Sequence, residues 1–234
     1  MDKGLVCWAG QLEYREAWAW QQALRESRRL EALPDLLLLA EHPPTYTCGR
    51  STLPEHLPAG AEPEIEMISI ERGGSITYHG PGQLVGYPIL ALRPPEQDLH
   101  RYLRRLEEAL IHLLGAYGLR GRVRPGLTGV WVGEKKVAAI GIHVRHWITM
   151  HGFALNVCPD LEYFRAIQPC GLDSRVVTSL AAFLPVPPSL KEVAVQVGKS
   201  FAEVFGGSWE EVSLAGLSAL VPLPGTFASG GQSF

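Results

Sequence analysis

The stretch RGGSITYHGPGQLVGYPI, Arg72–Ile89, places five glycines, one arginine, one histidine and two prolines within eighteen residues, between two apolar runs patterned as strands. Glycine weakens a strand, so this density needs a reason. Gly73, Gly74, Gly80 and Gly82 remove side chains and permit positive φ, which leaves backbone N–H groups open to a carbonyl or another polar head. Pro81 stiffens the turn. The glycines alone fit a tight bend or a bulge in a sheet as well as they fit a binding loop. Arg72, Tyr78 and His79 add a cation, an aromatic surface and an imidazole, more than a bend requires, and favour a site.

Several chemistries are excluded by spacing. A phosphate-binding P-loop needs Gly-Lys-Ser/Thr after four spacers, and the stretch has none. GPGQLV carries Val85 where a dinucleotide fingerprint needs Gly or Ala, and it leads into a strand rather than a helix. There is no His-Glu-x-x-His, and His143 and His146, three apart on an expected strand, would face opposite sides, so no metal site is expected. Cys7, Cys48, Cys158 and Cys170 are widely and unevenly spaced, which argues against a zinc knuckle or a disulfide framework. Each is either a small buried hydrophobe or a reactive thiol.

The elements that must position these groups follow from periodicity. Residues 4–9 form a short strand and 11–31 a helix, with Tyr14, Ala17, Trp18 and Leu24 at helical spacing. PDLLLLAEHPP is a buried strand stopped by Pro43 and Pro44, and 42–65 is a loop. IEMISIE and LVGYPILAL are strands on either side of the glycine stretch. Residues 98–118 are the clearest helix, with Leu99, Leu103, Leu106, Leu110, Leu113 and Tyr117 as its apolar stripe and Gly118 as its stop. Residues 122–157 are a run of strands, two of them joined by a hairpin at Gly133-Glu134. Residues 158–188 are irregular with a helical turn or two, and Ser189 with Glu192 caps a helix through Phe205. Residues 206–234 are expected to be an irregular tail.

At 234 residues, 46% apolar and 19% charged, with a net charge of −3, the chain is expected to be one α/β (α+β) domain, a mixed sheet with helices on one or both faces. The balance gives no footprint for nucleic acid. The absence of an 18-residue apolar run gives no membrane span, and a cytoplasmic protein is expected.

RGGSITYHGPGQLVGYPI closely resembles the signature of lipoyl(octanoyl) transferases, enzymes that move an octanoyl group from acyl carrier protein to lipoyl domains. EHPPTYTCGR (Glu41–Arg50), KKVAAIGIHVRHWITMHGFALNV (Lys135–Val157) and QPCGLDSRVVTSL (Gln168–Leu180) are similar, in order, to further segments of that family. The likeness spans roughly residues 35–205 and implies the fold shared with lipoate and biotin protein ligases. Two positions depart from it: Ser75, where a longer polar residue is frequent, and Cys48, a second thiol in the first motif.

The resemblance implies an acyl-thioester on Cys170, with Lys136 as the family's lysine; Lys135, offset by one, points the other way on a strand. An ammonium beside a thiol of pKa about 8.5 favours the thiolate. It implies a substrate-binding set of Arg72, Gly73, Gly74, Ser75, Ile76, Thr77, Tyr78 and His79, with Ala139, Ile140 and Gly141, and with Gly152, Phe153 and Ala154. Backbone N–H groups of the last two groups are candidates for the oxyanion surface. His79 and His151 either polarise the acyl carbonyl or fix their loops, the second being favoured. Ile76, Tyr78, Ala138, Ala139 and Phe153 are candidate walls for an acyl slot. Seven carbons at about 0.8 kcal/mol per buried CH₂ offer roughly 5–6 kcal/mol, and one methylene discriminates by only about 1–3 kcal/mol. Bulk at Gly74 is expected to block acylation and leave the fold intact. No cofactor is implied. The partners implied are octanoyl-acyl carrier protein as donor and, as acceptors, the lipoyl domains of 2-oxoacid dehydrogenase E2 subunits and the glycine-cleavage H protein. Arg120, Arg122 and Arg124, or Arg101, Arg104 and Arg105, are candidate docking cations, the second group fitting better as a solvated helix face beside Glu107 and Glu108. The rival readings are an ATP-dependent lipoate or biotin protein ligase, a non-catalytic module that binds acyl carrier proteins, and a cysteine hydrolase, for which no clear Cys-His-Asn framework is present.

Overall fold

The unbroken burial of Leu36–Leu39 makes a strand with no solvent face, and the remaining elements are arranged around it. The computed structural model describes residues 3–57, 65–168 and 173–221. In chain order they form β1 (Lys3–Gln11), α1 (Tyr14–Arg29), β2 (Asp35–Glu41), β3 (Thr45–Cys48), β4 (Glu66–Ser69), β5 (Ile76–His79) and β6 (Gln83–Ile89). Then come α2 (Leu99–Ala116), β7 (Gly121–Arg124), β8 (Leu127–Val132), β9 (Lys135–Arg145) and β10 (Ile148–Asn156). The chain continues with α3 (Glu162–Arg165), α4 (Leu190–Phe205), β11 (Ser208–Glu211) and α5 (Leu214–Leu220).

Eight strands make one mixed sheet in the order β11-β1-β2-β6-β10-β9-β8-β7, and β4-β3-β5 make a second, smaller one. Leu37 and Leu39 face one core with α2 and α4; Leu36 and Leu38 face the other with α1 and α5. Burying each leucine contributes about 1.5–3 kcal/mol. The small sheet has its own aromatic core of Tyr46, Tyr78 and Phe164 with Ile76 and Ile167. No helix of the described residues is long and apolar enough to cross a membrane.

The β8–β9 hairpin turns at Gly133, φ +56, as its sequence indicates, and Ser189 and Glu192 form the reciprocal cap of α4. Other expectations are corrected. The expected loop at 42–65 contains β3, a four-residue strand hidden by its Pro-rich flank, and the glycine stretch contains β5. Part of the expected irregular tail is ordered: residues 208–211 add β11 parallel to β1, where Trp209 lies against Gly4, and Leu217 of α5 enters the core. On α2 the stripe turns from the expected one: Tyr102, Ala109 and Leu114 join Leu106, Leu110 and Leu113 in the core, while Leu99 is 44% exposed. Glu107, expected on the solvated face, is buried and accepts from the Gly129 N–H at 3.0 Å and from Arg104 at 2.5 Å. His146 belongs to the turn between β9 and β10, not to a strand, with φ +52.

Candidate functional site

Strand β9 is longer than its neighbour allows: Lys135, Lys136 and Ala138 pair with β8, whereas residues beyond Ala138 pair only with β10. Against the edge so left open lies the glycine stretch, with the Gly73 N–H donating to the Ile142 carbonyl at 2.9 Å. Between them is a cavity of about 320 Å³, within the size range of small-molecule sites. Its glycine wall is Arg72, Gly73, Gly74, Ile76, Thr77 and His79. The sheet supplies Lys136, Ala138, Ala139, Ile140, Gly141, Gly152, Phe153 and Ala154. Ser75 and Tyr78 do not line it. The Ser75 hydroxyl turns to His56 Nδ1 at 2.6 Å, and Tyr78 stacks on Tyr163 at 4.7 Å in the aromatic core. Tyr78 is therefore a strut of the small sheet rather than an acyl wall.

The glycines have separate duties. A Cβ on Gly141 would come within 3.0 Å of both Arg72 Cδ and the Gly73 carbonyl, so the arginine crosses β9 only over a glycine. Gly74 sits at φ +82, which a β-branched residue adopts only with strain; bulk there would perturb the fold as well as the cavity, contrary to the sequence expectation. Arg72 is itself buried and donates to the Thr47 carbonyl at 2.6 Å and hydroxyl at 2.9 Å, pinning the glycine stretch to β3.

From Thr47 a buried polar chain crosses the site. Gln83 Nε2 donates to the Tyr78 carbonyl and to Asn156 Oδ1, which leaves its Oε1 to accept from His79 Nδ1 at 2.8 Å. His79 Nε2 is then the acceptor for the Thr47 hydroxyl, 3.2 Å away. Asn156 Nδ2 donates to the Thr178 carbonyl, and the Thr178 N–H donates to the carbonyl of Lys136. Burial pushes His79 well below the ordinary imidazole range, and the neighbouring His42 ring acts in the same direction. With both nitrogens engaged, His79 fixes its loop, the favoured sequence reading. His42, with Nδ1 on the Leu12 carbonyl and Nε2 on the Tyr87 hydroxyl, both at 2.6 Å, is likewise held neutral by burial, its pKa pushed down to about 4.

His151 differs. It takes φ +56 inside β10, where pairing with β9 runs unbroken but pairing with β6 covers only Phe153–Asn156, and its N–H donates to Gln21 Oε1 of α1 at 2.9 Å. The ring lines the cavity, with Nε2 3.6 Å from Glu71, and burial lowers its pKa against the opposing pull of that carboxylate.

Lys136 reaches the cavity across Gly129, where a Cβ would meet Lys136 Cε at 2.6 Å, and its ammonium stands 5.8 Å from the Trp131 ring centroid. Lys135 points away, as strand alternation requires, and donates to the Arg175 carbonyl at 2.7 Å. Cys170 lies outside the described residues; Gln168 before it and Asp173 after it are placed, and Val177 bridges to Lys136. Cys48 packs beside the small aromatic core and away from the cavity lining, and burial raises its thiol. Cys7 is buried and pushed up to about 11.

The expected oxyanion surface narrows. β10 is paired on both sides, which commits the amides of Gly152, Phe153 and Ala154 to ladders. On β9, alternation turns the amides of Ala139 and Gly141 towards β10 and places Ile140, which lines the cavity, on the outer edge with Ile142, whose carbonyl accepts from Gly73. Tyr14, Gln83, Gly129, Asn156 and Thr178 were not singled out from sequence. A signal was available for Gln83, Asn156 and Thr178, which lie inside the quoted segments Arg72–Ile89, Lys135–Val157 and Gln168–Leu180.

Residues 13–202 match the family model described as the lipoyl protein ligase A/B catalytic domain. The octanoyltransferase of Synechococcus elongatus is 52% identical over 213 residues, which cover 90% of this chain and 91% of that protein. Among solved structures, the bi-partite lipoate protein ligase of Thermoplasma acidophilum superimposes with a TM-score of 0.72 at 19% identity, covering 94% of this chain and 91% of that one. The biotin protein ligase of Aquifex aeolicus gives 0.51 at 16% identity, covering 88% and 69%. At such identities the two structures speak for the fold, a mixed α/β sheet flanked by helices, as expected from the sequence.

Proposed function

The chain belongs to the lipoyl protein ligase A/B catalytic domain family, and from there we propose that it takes octanoyl from an acyl carrier protein and delivers it, through a thioester on Cys170, to a lysine of lipoyl domains. It is an acyltransferase, and octanoyl transfer in protein lipoylation is the activity its half-identical relatives support. The observation that carries the finer reading is one cavity lined by Lys136, the glycine wall and Ile140 on the outer edge of β9. The donors are octanoyl-acyl carrier proteins; the acceptors are lipoyl domains of 2-oxoacid dehydrogenase E2 subunits and the glycine-cleavage H protein. We read the chain as one catalytic domain working in the cytoplasm.

The steps balance without nucleotide. The Lys136 ammonium stabilises the Cys170 thiolate, which attacks the octanoyl carbonyl. The developing oxyanion meets the Ile140 N–H. The C–S bond to the carrier breaks, and the leaving thiolate takes a proton from the Lys136 ammonium, which becomes the amine. An acceptor lysine amine then attacks the Cys170 thioester; a C–N bond forms, the C–S bond breaks, and Lys136 relays the amine's proton to the departing sulfur. Thioester exchange is nearly balanced and amide formation runs downhill.

Intact-protein mass spectrometry after mixing with octanoyl-acyl carrier protein, without acceptor, tests this. One octanoyl adduct, removed by hydroxylamine and absent in Cys170→Ser, is expected. No adduct with the donor thioester intact would refute the covalent route in favour of a ligase or a binding module. An adduct persisting in Cys170→Ser would place the nucleophile elsewhere.

A further inference from the structure

On the buried face of α2, among Tyr102, Leu106, Ala109, Leu110 and Leu113, stands one carboxylate, Glu107, only 1% exposed. Burying a carboxylate is costly unless it is paired and hydrogen-bonded. Its two oxygens divide the partners. Oε2 accepts from Arg104, three residues earlier on the same helix, whose side chain is 61% exposed. Oε1 accepts from the buried Gly129 N–H at 3.0 Å. An arginine and a glutamate three apart pair equally well on a solvated helix face, so the first contact does not require a buried position. The second does.

Gly129 lies just beyond Val130 and Ala138, the last residues paired between β8 and β9. The register slips at that point: Trp131 faces Lys136 while Val130 faces Ala138, which leaves Val137 as an extra residue on β9. Such a bulge re-aims the side chains beside it. Here Lys136 crosses over Gly129, whose added Cβ would meet Lys136 Cε at 2.6 Å and the Ala138 carbonyl oxygen at 2.4 Å. The path of the lysine and the tightest backbone contact of the bulge therefore both run through Gly129. Its N–H, where β8 has parted from β9, goes to Glu107.

We propose that Glu107 is a positioning residue for acyl transfer: its hold on the Gly129 N–H fixes the bulge that aims the Lys136 ammonium into the cavity. The inference rests on the octanoyl-transfer reading and on the part given there to Lys136. Glu107 does not line the cavity and acts through the backbone, while Leu103, one turn earlier on α2, does line it. Without the Glu107 oxygen a buried N–H loses its partner, β8 relaxes at Gly129, and Lys136 drifts from the thiol it serves.

The test uses Cys170 to report on Lys136. Iodoacetamide alkylation of Cys170 against pH, followed by peptide mass spectrometry, gives the midpoint of thiolate formation in active and inactive variants alike. Lys136→Ala is expected to move that midpoint upward. Glu107→Leu, which fills the helix position but accepts no hydrogen bond, should move it in the same direction, and should move it no further when added to Lys136→Ala. Octanoyl adduct formation in Glu107→Leu should fall about tenfold or more at saturating donor, with the donor KM little changed, since a misplacement of about 1 Å costs on the order of a hundredfold. Glu107→Gln, whose amide oxygen still accepts from Gly129, should recover most of the rate. Every variant is measured below its own Tm. Should Glu107→Leu not fold, Glu107→Asp, with a shorter reach and the charge kept for Arg104, carries the same test. An unchanged Cys170 midpoint, a further shift on top of Lys136→Ala, or a Glu107→Gln enzyme as slow as Glu107→Leu would overturn the proposal. If Lys136→Ala itself left midpoint and acylation unchanged, the part given to Lys136 would be refuted first, and this inference with it.

Discussion

Gly129 ties the position of Lys136 to the backbone of the β8–β9 hairpin, and Gly129→Ala isolates that link. The residue sits at φ +124, a region that side chains rarely adopt, and its N–H is held by buried Glu107. An added Cβ would lie 2.4 Å from the Ala138 carbonyl oxygen and 2.6 Å from Lys136 Cε. The lysine carbon can swing away; the carbonyl cannot move without opening the hairpin. Backbone strain of this kind costs about 1–3 kcal/mol. At about 2–4 °C per kcal/mol for a chain of this size, Tm should fall by about 2–12 °C. Thioester formation measured well below the new Tm should fall too, because the displaced ammonium no longer faces the cavity. Lys136→Ala supplies the contrast, with acylation lost and Tm changed little. Scanning calorimetry and adduct mass spectrometry read the two effects. If Gly129→Ala kept both the Tm and the acylation rate of the unmodified protein, the assigned path of Lys136 over Gly129 would be wrong.

Two further outcomes follow from the same geometry. His42 is buried with its pKa pushed down to about 4 from 6.5. Above about pH 6.5 both folded and unfolded chains hold it neutral, and as pH falls the unfolded chain protonates first. Stability should therefore be lost between about pH 6.5 and about pH 4, by up to about 3 kcal/mol from this residue, with His79 acting in the same direction. Urea unfolding across that window should show a shallower loss in His42→Gln; an unchanged slope would contradict the buried neutral ring. Gly141→Val should crowd Arg72 and Gly73 and fill the cavity beside β9, so octanoyl adduct formation should fall at least as far as hexanoyl adduct formation, and a normal octanoyl rate would refute the placement of the chain there.

Local pattern alone determined much of this molecule. The four leucines of β2, the Gly133 turn and the Ser189–Glu192 cap are encoded within a few neighbouring residues, where hydrophobic period, a positive φ or a reciprocal hydrogen bond needs no distant partner. The candidate site residues were legible because the glycine stretch is compositionally unusual and resembles a known signature. What the sequence could not express were pairings between remote segments. β3 and β11 are four-residue strands with weak patterns of their own, stabilised by β4 and β5 in one case and by β1 in the other. Glu107 looked like a surface carboxylate until folding brought the Gly129 N–H to it. Tyr78 looked like a cavity wall until Tyr163, far along the chain, stacked on its ring. The open edge of β9 exists only because β8 and the hairpin register stop short of Ala139, and register is a property of two strands, never of one.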